Sequence, residues 1–389
     1  SYDSDSKGNF LKGTLNQKGL DFYDKIIDEL LKNNIDPWIT LYHWDLPQIL
    51  ELKGGWRNRD IMNWIAEYAS VISQKFSDRV THFFTLNEMP CILGGYMGWM
   101  APGLKCSNKE HLNIIHNMLL SHGNMTQAIR ANAKQPVQIG CAHNGLGNYP
   151  ATESQEDINA FYKAMECIEA NDCEYGPKLG TKHILSDSLI YYLDPIYFGK
   201  YPDHAFEIFK DQMPEIKDGD MKIISTPVDI QGINIYEGRP ISAGSSPNKK
   251  DDSWHIKPFP QGMNQTAARW PITPQSMDYY FRFISERYKK PIYISENGMS
   301  NADIISLDQK CHDPQRIDYT HRYLMNLENA IENGADVRGY FHWSLLDNFE
   351  WAHGYRERFG LVHVDYETQK RTPKDSYYWY KELIESNKN

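Results

Sequence analysis

Two periodicities alternate along this chain. Gly19 to Lys32 carries apolar residues at the three- and four-residue spacing of an amphipathic helix, and Asp36 to Tyr42 then reads as a strand. The same alternation recurs: Thr81 to Leu86, Val137 to Ala142, Asp229 to Tyr236, Pro291 to Ser295 and Val337 to Ser344 are strand-like. Arg59 to Phe76, His111 to Ala133, Pro274 to Tyr288 and Asp313 to Asn333 are helical between them. Strands alternating with helices predict a parallel sheet and an α/β fold. Six such strands are two short of a closed eight-strand barrel, and the shortfall is at the front, where residues 1–17 are turn-rich and charged. Gly244 to Lys250 reads as an exposed loop tip, and no linker, repeat or low-complexity tract divides the rest. Residues 1–389 are therefore expected to form a single domain.

Composition narrows the partners. The net charge is -10, and no dense basic stretch exists beyond Lys249-Lys250 and Lys289-Lys290, which disfavours nucleic acid and anionic membrane. No apolar run approaches the roughly 20 residues of a membrane span. Aromatic residues make up 13%, with 10 Trp and 25 Tyr, suited to core packing and to stacking on sugar rings. Cys91, Cys106, Cys141, Cys167, Cys173 and Cys311 are scattered without metal-ligand spacing and read as free thiols. No metal cluster or phosphate-binding glycine loop is visible, so no cofactor is expected. Asn124-Met125-Thr126 and Asn264-Gln265-Thr266 fit the glycosylation pattern, and residues 1–17 hold no signal-like apolar core. Cytoplasmic and secreted locations both stay open, as does assembly into a homo-oligomer.

The chemistry-bearing feature is a pair of glutamates at strand ends, Glu88 in Thr85-Leu86-Asn87-Glu88 and Glu296 in Ser295-Glu296-Asn297-Gly298. A strand-end carboxylate in an α/β barrel sits at the rim where such folds place their chemistry. Two carboxylates facing one sugar can divide glycoside cleavage between them. The plain alternative is that each Glu caps the following helix or pairs with a cation.

Further blocks complete the picture: Asn16 to Tyr23, Leu41-Tyr42-His43-Trp44-Asp45-Leu46-Pro47-Gln48, Trp343 to Trp351, and Arg358 to Tyr366. Together with the two glutamate motifs they resemble glycoside hydrolase family one, the β-glucosidases, over nearly the whole chain. The resemblance implies a (β/α)8 TIM barrel with a retaining site. Glu88 matches the acid/base and Glu296 the nucleophile. Tyr236 matches the tyrosine that hydrogen-bonds the nucleophile, with Asn234 beside it, and Asn87 matches the residue holding the sugar 2-hydroxyl. His43 and Trp44 match hydroxyl-binding positions. Trp343 matches the stacking platform, Glu350 with Trp351 the clamp on the 4- and 6-hydroxyls, and Phe359 a further substrate-binding position. Trp270, with Asn144, matches the leaving-group subsite. A carboxylate at Glu350 would repel a 6-phosphate, which argues against phospho-glycosidases. His143, His342 and His363 read as structural, and Asp347 and Asn348 as loop supports.

Two departures from the family pattern stand out. Met89-Pro90 follows the acid/base where Pro-Trp is usual, which bears on the leaving-group loop. The family's first-strand Gln and second-strand Arg have no counterpart, since no Arg precedes Arg57 and the only early Gln is Gln17. The expectation is thus a barrel without its first one or two strands. The leading function is a retaining β-glucosidase acting on β-glucosides and short oligosaccharides. The alternatives are an inactive sugar-binding relic and a β-galactosidase or β-fucosidase specificity; an intact Glu88 disfavours a thioglucosidase.

Overall fold

The computed structural model describes residues 15–168, 188–244 and 254–387. The sequence readings of residues 1–14, of Cys173 and of the 245–250 loop tip lie outside them. The elements begin with α1 (Gln17–Lys32), β1 (Trp38–Tyr42), α2 (Gln48–Leu52), α3 (Ile61–Phe76), β2 (His82–Asn87), α4 (Met89–Tyr96), α5 (Asn108–Asn132) and β3 (Gln138–Asn144). Next come β4 (Tyr149–Pro150), α6 (Gln155–Met165), α7 (Leu189–Phe198), α8 (Asp203–Phe209), α9 (Asp220–Ile224), β5 (Gln231–Asn234), β6 (Pro240–Ala243) and β7 (Trp254–Ile256). The last are α10 (Tyr279–Tyr288), β8 (Ile292–Asn297), α11 (Pro314–Glu332), β9 (Val337–His342), β10 (Val362–Val364), β11 (Arg371–Pro373) and α12 (Asp375–Ser386).

The chain divides into two compact units, residues 1–144 with 188–232, and residues 145–187 with 233–389. In the first, β1 pairs with β2 and β2 with β3, both parallel, and β3 neighbours the start of β5. Strand β2 is buried over Phe83–Asn87, the near-continuous burial of a parallel strand covered on both faces. The long helix α5 starts at a reciprocal capping box: Ser107 Oγ accepts from Glu110 N–H while the Glu110 carboxylate accepts from Ser107 N–H at 2.8 Å. Its apolar face packs on Ile61, Ile65, Ala69, Ile72 and Phe76 of α3, which recur at helical spacing.

In the second unit the end of β5 neighbours β8, and β8 pairs in parallel with β9. Beside them stand a small sheet, in which β4 pairs with β6 in parallel and β6 with β7 in antiparallel, and the β10-β11 ribbon. Helix α11 buries Arg316, Tyr319, Thr320, Tyr323, Leu327 and Ala330, one stripe at helical spacing. Arg316 is wholly buried because it has carboxylate partners: it pairs with Asp313 and, at 2.6 Å, with Asp303.

Two elements differ from the sequence pattern. The expected helix from Pro274 to Tyr288 is a 3-10 turn, Pro274–Met277, followed by α10, because Asp278 between them leaves helical geometry at ψ -87°; its carboxylate pairs with Arg282 one turn on at 2.8 Å. The expected strand from Asp229 to Tyr236 is regular only over Gln231–Asn234. At its front, Asp229 and Ile230 both donate to the carbonyl of Ile139; at its end, Ile235 makes a last backbone bond to Glu296 O at 2.9 Å.

Candidate active site

Glu88 follows β2 directly and precedes α4. Its N–H donates to Ala142 O at 2.7 Å, which holds the strand end to β3, and its carbonyl accepts from Cys91 and Ile92, which starts the helix. It occupies the N-cap of α4 with φ 50° and makes no side-chain capping bond, so helix capping does not account for this glutamate. The residue is 6% exposed. Met89 and Pro90 form the first turn of α4, a position Pro favours, and both are buried.

His43, Trp44 and Asn87 are joined in the same unit. Asn87 Nδ2 lies 3.2 Å from His43 Nε2, and Trp44 Nε1 donates to Asn87 O at 3.0 Å. Burial lowers the His43 pKa below its ordinary 6.5 against the pull of Asp45, so a neutral imidazole faces the Asn87 amide near pH 7. Trp44 sits at φ 74°, a conformation disfavoured for any residue with a Cβ. Asn144, at the end of β3, donates to Cys91 Sγ at 3.4 Å.

In the second unit Glu296 lies in the last turns of the β8 ladder, 8% exposed. The Tyr236 hydroxyl donates to its Oε2 at 2.7 Å. Ser295 donates to Asn234 Oδ1 at 2.6 Å, which fixes the amide so that its Nδ2 end points away from Ser295. The rings of Tyr236, Trp270 and Phe359 form one cluster, with centroids 5.2 Å apart for Tyr236 and Trp270 and 5.8 Å for Trp270 and Phe359. Trp343 follows β9, and its N–H donates to Asn297 O at 2.8 Å. Gly298 must be glycine here, because a Cβ would stand 2.0 Å from the Trp343 carbonyl oxygen.

Glu350 and Trp351 lie on the loop after β9. Asn348 Nδ2 donates to Glu350 Oε2 at 3.2 Å, and the Tyr366 hydroxyl donates to Asn348 O at 3.2 Å. Trp351 has φ 44°. Beneath this loop Asp347 accepts from Gly360 N–H, Lys374 Nζ and Arg358, at 3.0, 2.9 and 2.6 Å. Asp347 and Asn348 thus act as the loop supports that the sequence suggested, with a direct bond from Asn348 to Glu350 that it did not reveal. The bond from Ser295 to Asn234 has no signal of its own in the sequence either.

Of the three histidines read as structural, His342 directly precedes Trp343 and pairs with Asn297 across β8 and β9, and His143 directly precedes Asn144. His143 is buried in β3 against Tyr192, and burial pushes its pKa down to about 3, so it stays neutral. His363 lies inside β10, and His342 near Tyr380 of α12. Cys106, Cys141 and Cys311 are free thiols. Among the described residues no helix is long and apolar enough to cross a membrane.

Parallel strands ending in buried glutamates, with amides and indole rings beside them, define an α/β enzyme of the glycoside-cleaving class. The chain belongs to glycosyl hydrolase family 1, whose model matches residues 7–173 and 179–389. It is 40% identical over 378 residues to a 1,4-beta-D-glucan glucohydrolase of Thermotoga neapolitana, covering 96% of this chain and 79% of the relative. It is 40% identical to beta-glucosidase A of Acetivibrio thermocellus, covering 96% and 80%. Among solved structures, beta-glucosidase from Thermotoga maritima in complex with deoxynojirimycin superposes with a TM-score of 0.82 at 37% identity, covering 97% of this chain and 80% of that one. The fold class is accordingly the α/β TIM barrel of that family.

Proposed function

We propose that Glu296 and Glu88 are the nucleophile and the acid/base of a retaining β-glucosidase. The enzyme hydrolyses terminal non-reducing β-D-glucosyl residues by double displacement. In the first step a Glu296 carboxylate oxygen attacks the anomeric carbon, the bond to the glycosidic oxygen breaks, and Glu88 gives that oxygen its proton. In the second step Glu88 takes a proton from water, the water oxygen attacks the anomeric carbon, and the ester to Glu296 breaks to return its carboxylate.

The observation that carries this assignment is the Tyr236 hydroxyl bonded to Glu296 Oε2, since a donor aimed at a buried carboxylate favours its ionised, nucleophilic form. The absence of a capping bond at Glu88 supports a chemical use for that carboxyl. His43, Trp44, Asn87 and Asn234 would hold the sugar hydroxyls, Trp343 would stack on the ring, and Glu350 with Trp351 would clamp the 4- and 6-hydroxyls. Trp270 and Phe359, packed with Tyr236, would line the leaving-group side, where short oligosaccharides and aryl glucosides place their aglycone.

Residues 1–389 are read as one domain in this proposal. The division between the two compact units falls inside β5, between Gly232 and Ile233, whereas domain boundaries ordinarily fall in exposed linkers.

The test is incubation with a 2-fluoro-2-deoxy-β-glucoside bearing a good leaving group, followed by peptide mass spectrometry. The expected result is a covalent adduct on the peptide containing Glu296. Folded protein that never acquires the adduct, or acquires it elsewhere, would overturn the assignment.

A further inference from the structure

The segment carrying Tyr236 leaves the parallel sheet. Strand β5 ends at Asn234, and Ile235 makes the last backbone bond across to β8. Beyond it the Glu237 carbonyl accepts from Gly147 N–H at 3.0 Å, and side chains supply further bonds on either side of Tyr236. Asn297 Nδ2 donates to Ile235 O at 2.7 Å, and Thr273 Oγ1 accepts from Gly238 N–H at 2.8 Å. Between them the carbonyl of Tyr236 accepts two hydrogen bonds at once, from the hydroxyls of Tyr319 at 3.0 Å and Tyr323 at 2.9 Å.

We propose that Tyr319 and Tyr323 are positioning residues for the nucleophile, acting through Tyr236: their paired hydroxyls fix the backbone from which the Tyr236 phenol reaches Glu296. They stand one turn apart on the buried face of α11, with rings stacked at 4.0 Å and 20°. Each hydroxyl also accepts a bond, Tyr319 from Asn297 Nδ2 at 3.3 Å and Tyr323 from Thr273 N–H at 2.9 Å. A hydroxyl has one proton to donate, and the two hydroxyls also hydrogen-bond each other, so the pair forms one network that ends on the Tyr236 carbonyl. Burial raises the Tyr319 pKa well above its ordinary value and the Tyr323 pKa to about 12, so both remain donors at any working pH.

A purely structural reading has to explain why a buried helix face carries hydroxyls at all. Phenylalanine would fill the same space without bringing polar groups that must find partners. Both donors here converge on one acceptor, and that acceptor belongs to the residue bonded to Glu296. The bond they protect is sensitive to placement: at 2.7 Å it is near optimal, and a displacement of roughly half an ångström takes it to the edge of the useful range.

The inference rests on Glu296 being the nucleophile, and a double-mutant cycle separates the two claims. The enzyme, Tyr236→Phe, Tyr319→Phe with Tyr323→Phe, and the triple variant are compared by kcat/KM on an aryl β-glucoside, by pH profile and by melting temperature. If the tyrosines act through Tyr236, their joint replacement lowers kcat/KM about tenfold in the parent and less than about twofold when Phe already occupies position 236, the non-additivity of coupled groups. The acid limb of the profile moves to higher pH in Tyr236→Phe and in the double variant, and no further in the triple, because the lost donor favoured the ionised carboxylate. Equal losses in both backgrounds with an unmoved acid limb would overturn the inference, marking the two tyrosines as structural only. The single variants Tyr319→Phe and Tyr323→Phe give the same cycle if the joint replacement does not fold. A parent enzyme that forms no 2-fluoroglucosyl adduct on Glu296 refutes the nucleophile assignment and this inference with it; an adduct without coupling refutes the inference alone.

Discussion

Replacing Asn348 by Ala tests whether Glu350 needs to be held. The amide donates to Glu350 Oε2 at 3.2 Å and to Phe349 O at 3.3 Å, while its side-chain oxygen lies 3.4 Å from Ser344 Oγ. Alanine removes all three contacts but keeps the backbone carbonyl that the Tyr366 hydroxyl binds, so the loop path should survive. A hydrogen bond to a charged group contributes about 1.5–3 kcal/mol. Asn348 and Glu350 are half-buried, which favours the lower end of that range, or about tenfold in an equilibrium. If Glu350 clamps the 4- and 6-hydroxyls, the loss should fall on substrates that possess both. The assay compares kcat/KM for 4-nitrophenyl β-glucoside and β-xyloside, the latter lacking the hydroxymethyl group. The glucoside should lose roughly tenfold, mostly through KM, and the xyloside less than threefold. An equal loss on both sugars would refute the reasoning, because a loosened loop has no means of telling one sugar from the other.

Lys374→Met removes a fully buried cation that bonds Asp303 and Asp347 at 2.5 and 2.9 Å; breaking such a network costs about 3–5 kcal/mol, and denaturant unfolding should show it. Burial alone pushes the Asp303 carboxyl upward, but the Arg316 and Lys374 charges outweigh it and hold its pKa below the ordinary 3.8. Its contribution to stability is therefore complete above that value and lost as pH falls below it, so the melting temperature should drop through this acid range. At Glu88, φ 50° and ψ 68° favour glycine over alanine; Glu88→Gly should melt above Glu88→Ala, with acid/base function lost in both, and equal melting temperatures would show that the left-handed conformation is not maintained in solution.

Fold class was legible because helix and strand periods alternate strongly. The six strands of the parallel sheet lie within or against their expected segments, β5 over half of its expected length, and α1, α3, α5 and α11 keep their expected extents within a few residues. What escaped was short or lacked a period of its own. Helix α4 begins directly at the Glu88 turn, α7 is apolar on every side, and β4, β6 and β7 have two to four residues each. The break at Asp278 is a single residue out of helical geometry, which no periodicity encodes.

The candidate site divides along the same physical line. Glu88, Glu296, Asn234, Tyr236 and Trp343 stand where strands end, and strand ends leave a local signature in sequence: an apolar run, then a polar or aromatic residue out of pattern. The groups that hold them have no such signature, because a side chain that replaces a missing ladder bond can come from any element within reach. Tyr319 and Tyr323 come from the middle of a helix, Thr273 from a loop, and Asn348 from two residues upstream of the carboxylate it binds. Positive φ occurs at Glu88, Trp44 and Trp351, as it does at Asn34, Lys210, Arg269, Lys289, Gln309 and Gln369, a conformation costing about 1–3 kcal/mol that persists only where the surroundings enforce it. Regular pairing thins out where the candidate site begins, and from that point single backbone bonds are joined by side chains dispersed through the sequence. Substitutions at Tyr319, Tyr323 or Asn348 therefore bear on catalysis and specificity as well as on stability, although none of the three lies in a motif that names the reaction.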